Sequence, residues 1–411
     1  LPDDRLPMNT TTAPGMHWSD SAPAAARAVL RLLDRLSAGT LTLHLPDGSA
    51  RRFGQGEPHA AIHLANWQPL THALKSGDIG FAESYMAGDW STPDLPGLLA
   101  LLLRNREALE DVVYGSWWGR LAHRLQHLLN RNSRAGSRKN IHAHYDIGNA
   151  FYRLWLDETM NYSSALFEGD LHRPTAQAQQ AKVRRALSEC GVKPGDRLLE
   201  IGCGWGALAE MAAGEFQARV TGLTLSNEQL AFGQQRLQRA GLAARAELRL
   251  QDYRDIQDGP YDAICSIEMV EAVGHEYWPT YFEQVGRLLK PGGRACIQSI
   301  VIADEHFARY LSGTDFIQQY IFPGGCLPSP SAFRANAARA GLEVVDELCF
   351  GKDYAHTLRW WRERFMQRKD EVLSLGFDAR FLRIWEFYLA YCEAAFLDGS
   401  TDVVQFTLRR P

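Results

Sequence analysis

The chain has 411 residues, 45% of them hydrophobic and 22% charged, with a formal net charge of −4. That is a globular composition with length for two or three domains of roughly 100–200 residues each, and the overall charge speaks against a nucleic-acid binder. No apolar run approaches the ~18–20 residues that cross a bilayer, no secretory signal pattern opens the chain, and seven scattered cysteines without a C-x-x-C pair argue against a disulfide framework or zinc site and for a reducing cytosol.

Residues 1–20, rich in Pro, Thr and Asp, are expected to be disordered. Ala24 to Leu36 has the periodicity of an amphipathic helix. Leu41 to Leu45 and Ala61 to Leu64 read as strands with hairpin punctuation at Pro46-Asp47-Gly48. A helical stretch follows, its apolar positions in Phe81 to Met86 and Leu98 to Leu103, and closes a small α+β domain over residues 21–112. From Val112 to Tyr145 there is no acidic residue, while Arg120, Arg124, Arg131, Arg134, Arg138 and Lys139 all fall inside. Trp117, Trp118, Leu121, Leu125, Leu128 and Leu129 recur among them at helical spacing. Residues 113–140 therefore read as a basic amphipathic linker lying on an anionic membrane, or as a packed helix with a solvated basic face. Ser133 to Asn140 has the polarity of a flexible linker.

Beyond about residue 180 strands and helices alternate. The expected strands are Arg197–Ile201, Arg219–Thr224, Ala246–Leu250, Tyr261–Ile267 and Arg294–Ile302. Helices are expected over Trp205 to Phe216, from a Ser226-x-x-Gln229 capping box to Ala240, and over Pro279 to Leu289, which Lys290-Pro-Gly-Gly293 breaks. Such alternation implies a parallel sheet covered on both faces, with ligands at the carboxyl ends of the strands.

Gly202, Gly204 and Gly206 form G-x-G-x-G directly after the first of these strands, where glycine lets the backbone turn tightly and a ligand approach closely. Dinucleotide-binding proteins place G-x-G-x-x-G there. The shorter spacing, the preceding Glu200 and the Lys290-Pro-Gly-Gly293 turn favour S-adenosylmethionine (SAM). The second strand ends without an acidic residue for the ribose, leaving Thr224 and Gln229 as polar candidates. Gln251, Asp252 and Tyr253 offer groups for the adenine edge, although Asp252 also suits a helix cap or turn.

Residues 140–405 resemble the cyclopropane-fatty-acid synthases, including those acting on mycolic acids. The resemblance is carried by His144-Tyr-Asp-Ile-Gly-Asn149, Met160-Asn-Tyr-Ser163, Leu199 to Gly206, Leu250 to Asp255, Tyr320-Ile-Phe-Pro-Gly-Gly325 and Phe350 to Trp360. It implies a doubly wound, Rossmann-like class I SAM-methyltransferase α/β sheet with helical lid insertions over 141–411, and a small N-terminal lipid-engaging α+β domain. The implied reaction is methylation of a cis double bond in an acyl chain of membrane phospholipid, through a carbocation that then loses a proton. Tyr162 and Ser163 join the cofactor candidates on this basis. The family's base is a bicarbonate ion held by a Cys, a Glu, a His, a Tyr and an Ile backbone group. Glu271, Tyr354 and Ile300 fall on three of these positions, but Ser164 stands for the Cys and Gln298 for the His, and Ala272 follows Glu271 where relatives commonly carry His. Gln cannot become cationic as His can, so the proton-loss half of the reaction is the altered one.

The leading expectation is a cyclopropane product, and the rival is a methyl-branched unsaturated or furan-precursor chain. A small-molecule methyltransferase and a non-catalytic lipid-binding protein are the other classes. Tyr162, Phe316, Tyr320, Phe322 and Tyr354 are candidate aromatic walls for the cation or, equally, core packing. The expected setting is cytoplasmic, peripherally bound to the inner face of the membrane, with no metal and no nucleic acid; the resemblance also suggests a homodimer.

Overall fold

The computed structural model describes residues 22–109 and 147–411. The expected disorder of residues 1–20, the basic linker 113–140 and the start of the His144 motif lie outside the described residues.

The N-terminal unit opens with helix α1 (Ala24–Leu33), three residues shorter than the apolar periodicity suggests. Strands β1 (Gly39–His44), β2 (Ala50–Gln55) and β3 (His59–Leu64) follow. β2 escapes sequence reading because only Phe53 on it is buried, so no alternation marks it. β1 pairs antiparallel with β2 across the predicted Pro46-Asp47-Gly48 turn, but parallel with β3. Helix α2 (Gln68–Ala87) is broken at Gly77, whose φ of 62° and ψ of −137° only glycine adopts without strain. Strand β4 (Trp90–Ser91) completes a four-stranded sheet of order β2-β1-β3-β4. Helix α3 (Leu95–Arg104) is capped by Asp94, whose carboxylate accepts the Gly97 N–H at 3.1 Å.

The catalytic unit contributes helices α4 (Asn149–Trp155), α5 (Thr175–Glu189), α6 (Ala207–Gly214), α7 (Asn227–Arg239) and α8 (Trp278–Leu288). Its strands are β5 (Arg197–Ile201), β6 (Arg219–Thr224), β7 (Ala246–Leu250), β8 (Tyr261–Ile267), β9 (Leu289–Ile302), β10 (Glu343–Cys349) and β11 (Thr401–Arg409). They form one seven-stranded sheet in the order β10-β11-β9-β8-β5-β6-β7. The five expected strands pair in parallel, and the two additional ones are antiparallel at one edge. Lys290 to Gly293 do not separate helix from strand as expected: Tyr261 pairs with Leu289 and Ala263 with Arg294, so these residues bulge out of β9. Leu199, Ile264 and Ile297 pack on one face of the sheet, and Leu198, Cys265 and Cys296 on the other. The chain order reverses at β5, which lies between β6 and β8, so the carboxyl ends of β5 and β8 flank the topological switch point.

The chain beyond β9 adds helices α9 (Asp304–Leu311), α10 (Phe316–Tyr320), α11 (Pro330–Arg339), α12 (Gly351–Gln367), α13 (Lys369–Ser374) and α14 (Ala379–Asp398). One apolar core runs from Leu41 and Leu99 in the N-terminal unit to Trp361 and Trp385 in these helices. Polar bonds reinforce the contact. Asp78, just past the break in α2, accepts the Phe316 N–H at 3.1 Å and the Tyr391 hydroxyl at 2.9 Å. Tyr320 donates to Glu83 at 2.5 Å and Tyr85 to Glu386 at 2.8 Å. Phe316 and Tyr320, candidate cation walls in the sequence, thus fasten the two units together; Phe316 is fully buried against Phe387.

Candidate active site

An open cleft of about 1040 Å³ sits over the carboxyl ends of β5, β6 and β8. Tyr162, Ser163, Glu200, Gly202, Gly204, Thr224, Gln229, Gln251, Asp252 and Tyr253 all line it. Gly202 takes a φ of +86°, and a Cβ there would come within 2.9 Å of the Met269 side chain, so glycine is needed for both conformation and space. Gly206 departs from the expectation. It caps α6 in the left-handed conformation, and a Cβ on it would meet Gly233 of α7 at 3.3 Å, so it serves helix packing instead of lining the cleft.

Ser226 caps α7 by accepting the Gln229 N–H at 3.3 Å. The expected reciprocal bond of a capping box is missing, because the Gln229 side chain instead accepts the Thr224 hydroxyl at 2.9 Å. That couples two polar side chains at the end of β6, facing the cleft. Asp252 lines the cleft, and it takes the anticipated capping part: its carboxylate caps Tyr253–Asp255 through the Arg254 N–H while pairing with the Arg254 guanidinium at 2.6 Å. Glu200 is buried, and burial holds its carboxyl well above the usual range. One of its oxygens has no hydrogen-bond partner.

Behind the cleft, Ser164, Gln298 and Tyr354 do come together, but around a residue absent from the sequence-based candidates. Glu268 follows directly on β8 and lines the cleft. Its carboxylate accepts the Ser164 N–H at 2.8 Å, the Gln298 amide at 2.7 Å and the Tyr354 hydroxyl at 2.6 Å. The Ser164 hydroxyl turns away and donates to the Ala165 carbonyl at 3.0 Å. The Gln298 amide is oriented from behind: its oxygen accepts from Gln405 at 3.0 Å, and Gln405 in turn accepts from Arg185 at 2.8 Å. Glu271 and Ile300 also meet, the Ile300 N–H donating to one Glu271 oxygen while the other has no partner.

Lys182 on α5 is the second residue the sequence did not reveal. It is fully buried and donates to the Ser163 hydroxyl at 2.5 Å, with Glu268, Asp157 and Glu200 near enough to support its charge. Burial nevertheless pulls its ammonium down to about 8. Glu268 had a readable signal: it is an acidic residue at the carboxyl end of a predicted strand. Lys182 had none, since its neighbours in sequence make an ordinary amphipathic helix.

Burial pushes Glu271 up to about 8, with the nearby Glu268 charge adding to the effect. Burial likewise raises Asp78 to about 6 and Asp315 to about 7. The folded protein thus keeps protons that the unfolded chain releases near the ordinary values of 3.8 and 4.5. Because the folded state binds more protons, stability falls as pH rises through this interval, until about pH 8. Thermal unfolding is expected at lower temperature at pH 8 than at pH 5.5, and Glu271→Gln is expected to flatten the upper part of the profile. A melting temperature that climbs with pH over this range would contradict the assignment.

Tyr354, the hydroxyl donor to Glu268, belongs to a cluster of aromatic rings near the cleft. Tyr162 packs on Trp155 and Trp361 with ring centroids 5.3 and 5.5 Å apart, and its hydroxyl meets that of Tyr388 at 2.7 Å. Tyr354 stacks at a tilt on Phe396, 4.5 Å away, and Phe322 lies 6.1 Å from Tyr388.

Residues 132–406 match the family described as mycolic acid cyclopropane synthetase. The tuberculostearic acid methyltransferase UfaA1 of Mycobacterium tuberculosis is 41% identical over 398 residues, covering 94% of this chain and 92% of that protein. The cyclopropane-fatty-acyl-phospholipid synthase of Escherichia coli K12 is 34% identical over 355 residues, covering 86% and 89%. Among solved structures, the mycolic acid cyclopropane synthase CmaA1 complexed with SAH and CTAB is 34% identical, with a TM-score of 0.62 over 66% of this chain and 97% of that one.

Proposed function

The chain belongs to the mycolic acid cyclopropane synthetase family of SAM-dependent methyltransferases, and from that premise we propose that it methylates a cis double bond in an unsaturated acyl chain of membrane phospholipid. The observation that carries this reading is the joining of two environments: a glycine-lined polar cleft includes a carboxylate that accepts the hydroxyl of Tyr354, whose ring belongs to a cluster of aromatic side chains.

The cleft suits SAM. The unpartnered oxygen of Glu200 offers an acceptor for the cofactor's ammonium group, the Thr224–Gln229 pair serves the ribose hydroxyls, and Gln251, Asp252 and Tyr253 serve the adenine edge. Bound SAM supplies an electrophilic methyl group. The acyl alkene then becomes a carbocation, which water would trap as an alcohol, so the protein must keep the chamber dry. The rings of Tyr162, Trp361 and Tyr354 exclude water and present electron-rich faces to positive charge. Loss of a proton from the added methyl closes a cyclopropane ring.

A second reading, an unsaturated methyl-branched chain, is favoured by Ser164 and Gln298 standing where relatives carry Cys and His, and by the tuberculostearic acid named for one relative. The products separate when the protein acts on vesicles of cis-monounsaturated phospholipid with SAM. Both acyl products gain one CH2 in mass, but only the branched one takes up hydrogen over a catalyst, and only the ring gives upfield cyclopropane proton signals. Unchanged acyl chains would reject both readings.

No helix among the described residues is long and apolar enough to cross a membrane. Access to bilayer substrate is therefore proposed to come from peripheral binding to an anionic surface through the N-terminal unit and the basic stretch 113–140. Replacing Arg120, Arg124 and Arg131 by Gln should weaken binding to anionic vesicles by about 1 kcal/mol per charge and flatten its salt dependence. Unaltered vesicle co-sedimentation would reject that role.

A further inference from the structure

We propose that the carboxylate of Glu268 is the base of the proton-loss step, standing where the family resemblance places a bicarbonate ion. The inference rests on the alkene-methylation reading but not on which product follows, since both products lose a proton.

The donors decide it. Four positions were expected to hold bicarbonate through a hydrogen bond: Ser164, Gln298, Tyr354 and the Ile300 backbone. The first three donate to Glu268 and the fourth to Glu271. The Ser164 hydroxyl is turned to its own chain. Bicarbonate therefore does not fit: the donors it needs are engaged, and it would lie against a protein carboxylate of like charge. Gln298, unlike the expected His, brings no second positive charge, and one fixed anion needs none beyond the buried Lys182.

The backbone supplies independent support. Glu268 has a φ of +50°, in the left-handed region that a residue with a Cβ seldom occupies. Such conformations persist where surrounding structure over-determines them, and they cluster at functional sites. Here the left-handed turn coincides with a carboxylate lining the cleft and held by three donors. Glu271 is the weaker base candidate, because its family position is retained for a different contact, the Ile300 N–H, and it receives none of the Ser164, Gln298 and Tyr354 donors.

The step balances. The alkene π pair forms the new C–C bond as the S–CH3 bond breaks, leaving S-adenosylhomocysteine and a carbocation. A Glu268 oxygen takes one proton from the added methyl, and that C–H pair forms the ring bond. Along the branched route, the oxygen instead takes a proton from the chain carbon beside the cation, and that C–H pair ends in a new double bond. Glu268 is then a neutral acid that returns its proton to solvent after product leaves.

The test uses the full chain on cis-monounsaturated phospholipid vesicles with SAM, in CO2-depleted buffer and again with added bicarbonate. Wild-type turnover is expected to be the same in both. Glu268→Gln should lose about 10²- to 10⁴-fold in kcat, the range for a general base, while its SAM binding stays near wild type. Glu268→Gly relaxes the left-handed residue and empties the chamber, so added bicarbonate should raise its residual activity. Wild-type activity that needs bicarbonate, or Glu268→Gln with wild-type kcat, would overturn the proposal. Should Glu268→Gln fail to fold, the wild-type comparison and the glycine variant still decide. A wild-type protein that leaves acyl chains unmodified in both buffers would instead reject the methylation reading itself.

Discussion

Lys182→Met is expected to destabilise the protein by about 3–5 kcal/mol, the usual result of removing one partner from a buried charged group. The lysine is fully buried on α5, with Glu268, Asp157 and Glu200 as its charged neighbours. Methionine fills the space left by the aliphatic stem but brings no charge, so carboxylates already raised by burial lose their compensation. They can respond by taking up protons, so the penalty should be smaller at pH 5 than at pH 8. Urea unfolding at both pH values measures this. A loss below about 1 kcal/mol at pH 8 would show that the lysine charge is not what balances the site. SAM binding should weaken too, because the Ser163 hydroxyl beside the cleft loses its donor.

Glu200→Gln should separate stability from binding. The glutamate is buried with one oxygen unpartnered and its carboxyl held well above the usual range, so a neutral isostere keeps the form that burial favours and should leave the melting temperature near that of the wild type. The same change removes the charged acceptor assigned to the SAM ammonium group. A hydrogen bond involving a charged group contributes about 1.5–3 kcal/mol, so calorimetry should show about 10- to 150-fold weaker SAM binding. Equal affinity in the variant would move the ammonium away from Glu200.

Much of the catalytic unit can be read from the sequence because its strands are short, apolar and separated by strong helix signals. β6, β7 and β8 begin and end where the apolar pattern places them. What escaped was decided at longer range. β11 is as buried as the parallel strands, but six helices separate it from β9, with which it pairs antiparallel. β2 has too few buried residues to announce itself.

In the site, Thr224 and Gln229 were recoverable because the end of β6 needs polar groups and few others are near. Gly206 shows the opposite limit: a motif position chosen by spacing turned out to serve a close approach between α6 and α7. Ser164 and Gln298 were read as a weakened anion pocket, which was half of the matter. Their shared partner, Glu268, lies 104 and 30 residues away in the chain. Only the fold shows that the two departures and this carboxylate form a single arrangement.

The central claim, methyl transfer to an acyl double bond, is tested most directly with SAM carrying a CD3 group and vesicles of cis-monounsaturated phospholipid. The account predicts label in the fatty-acid fraction after transmethylation, with two of the three deuterons retained where the ring closes and all three where the cation loses a chain proton instead. Label confined to head groups or water-soluble products, with none in the acyl chain, would contradict it.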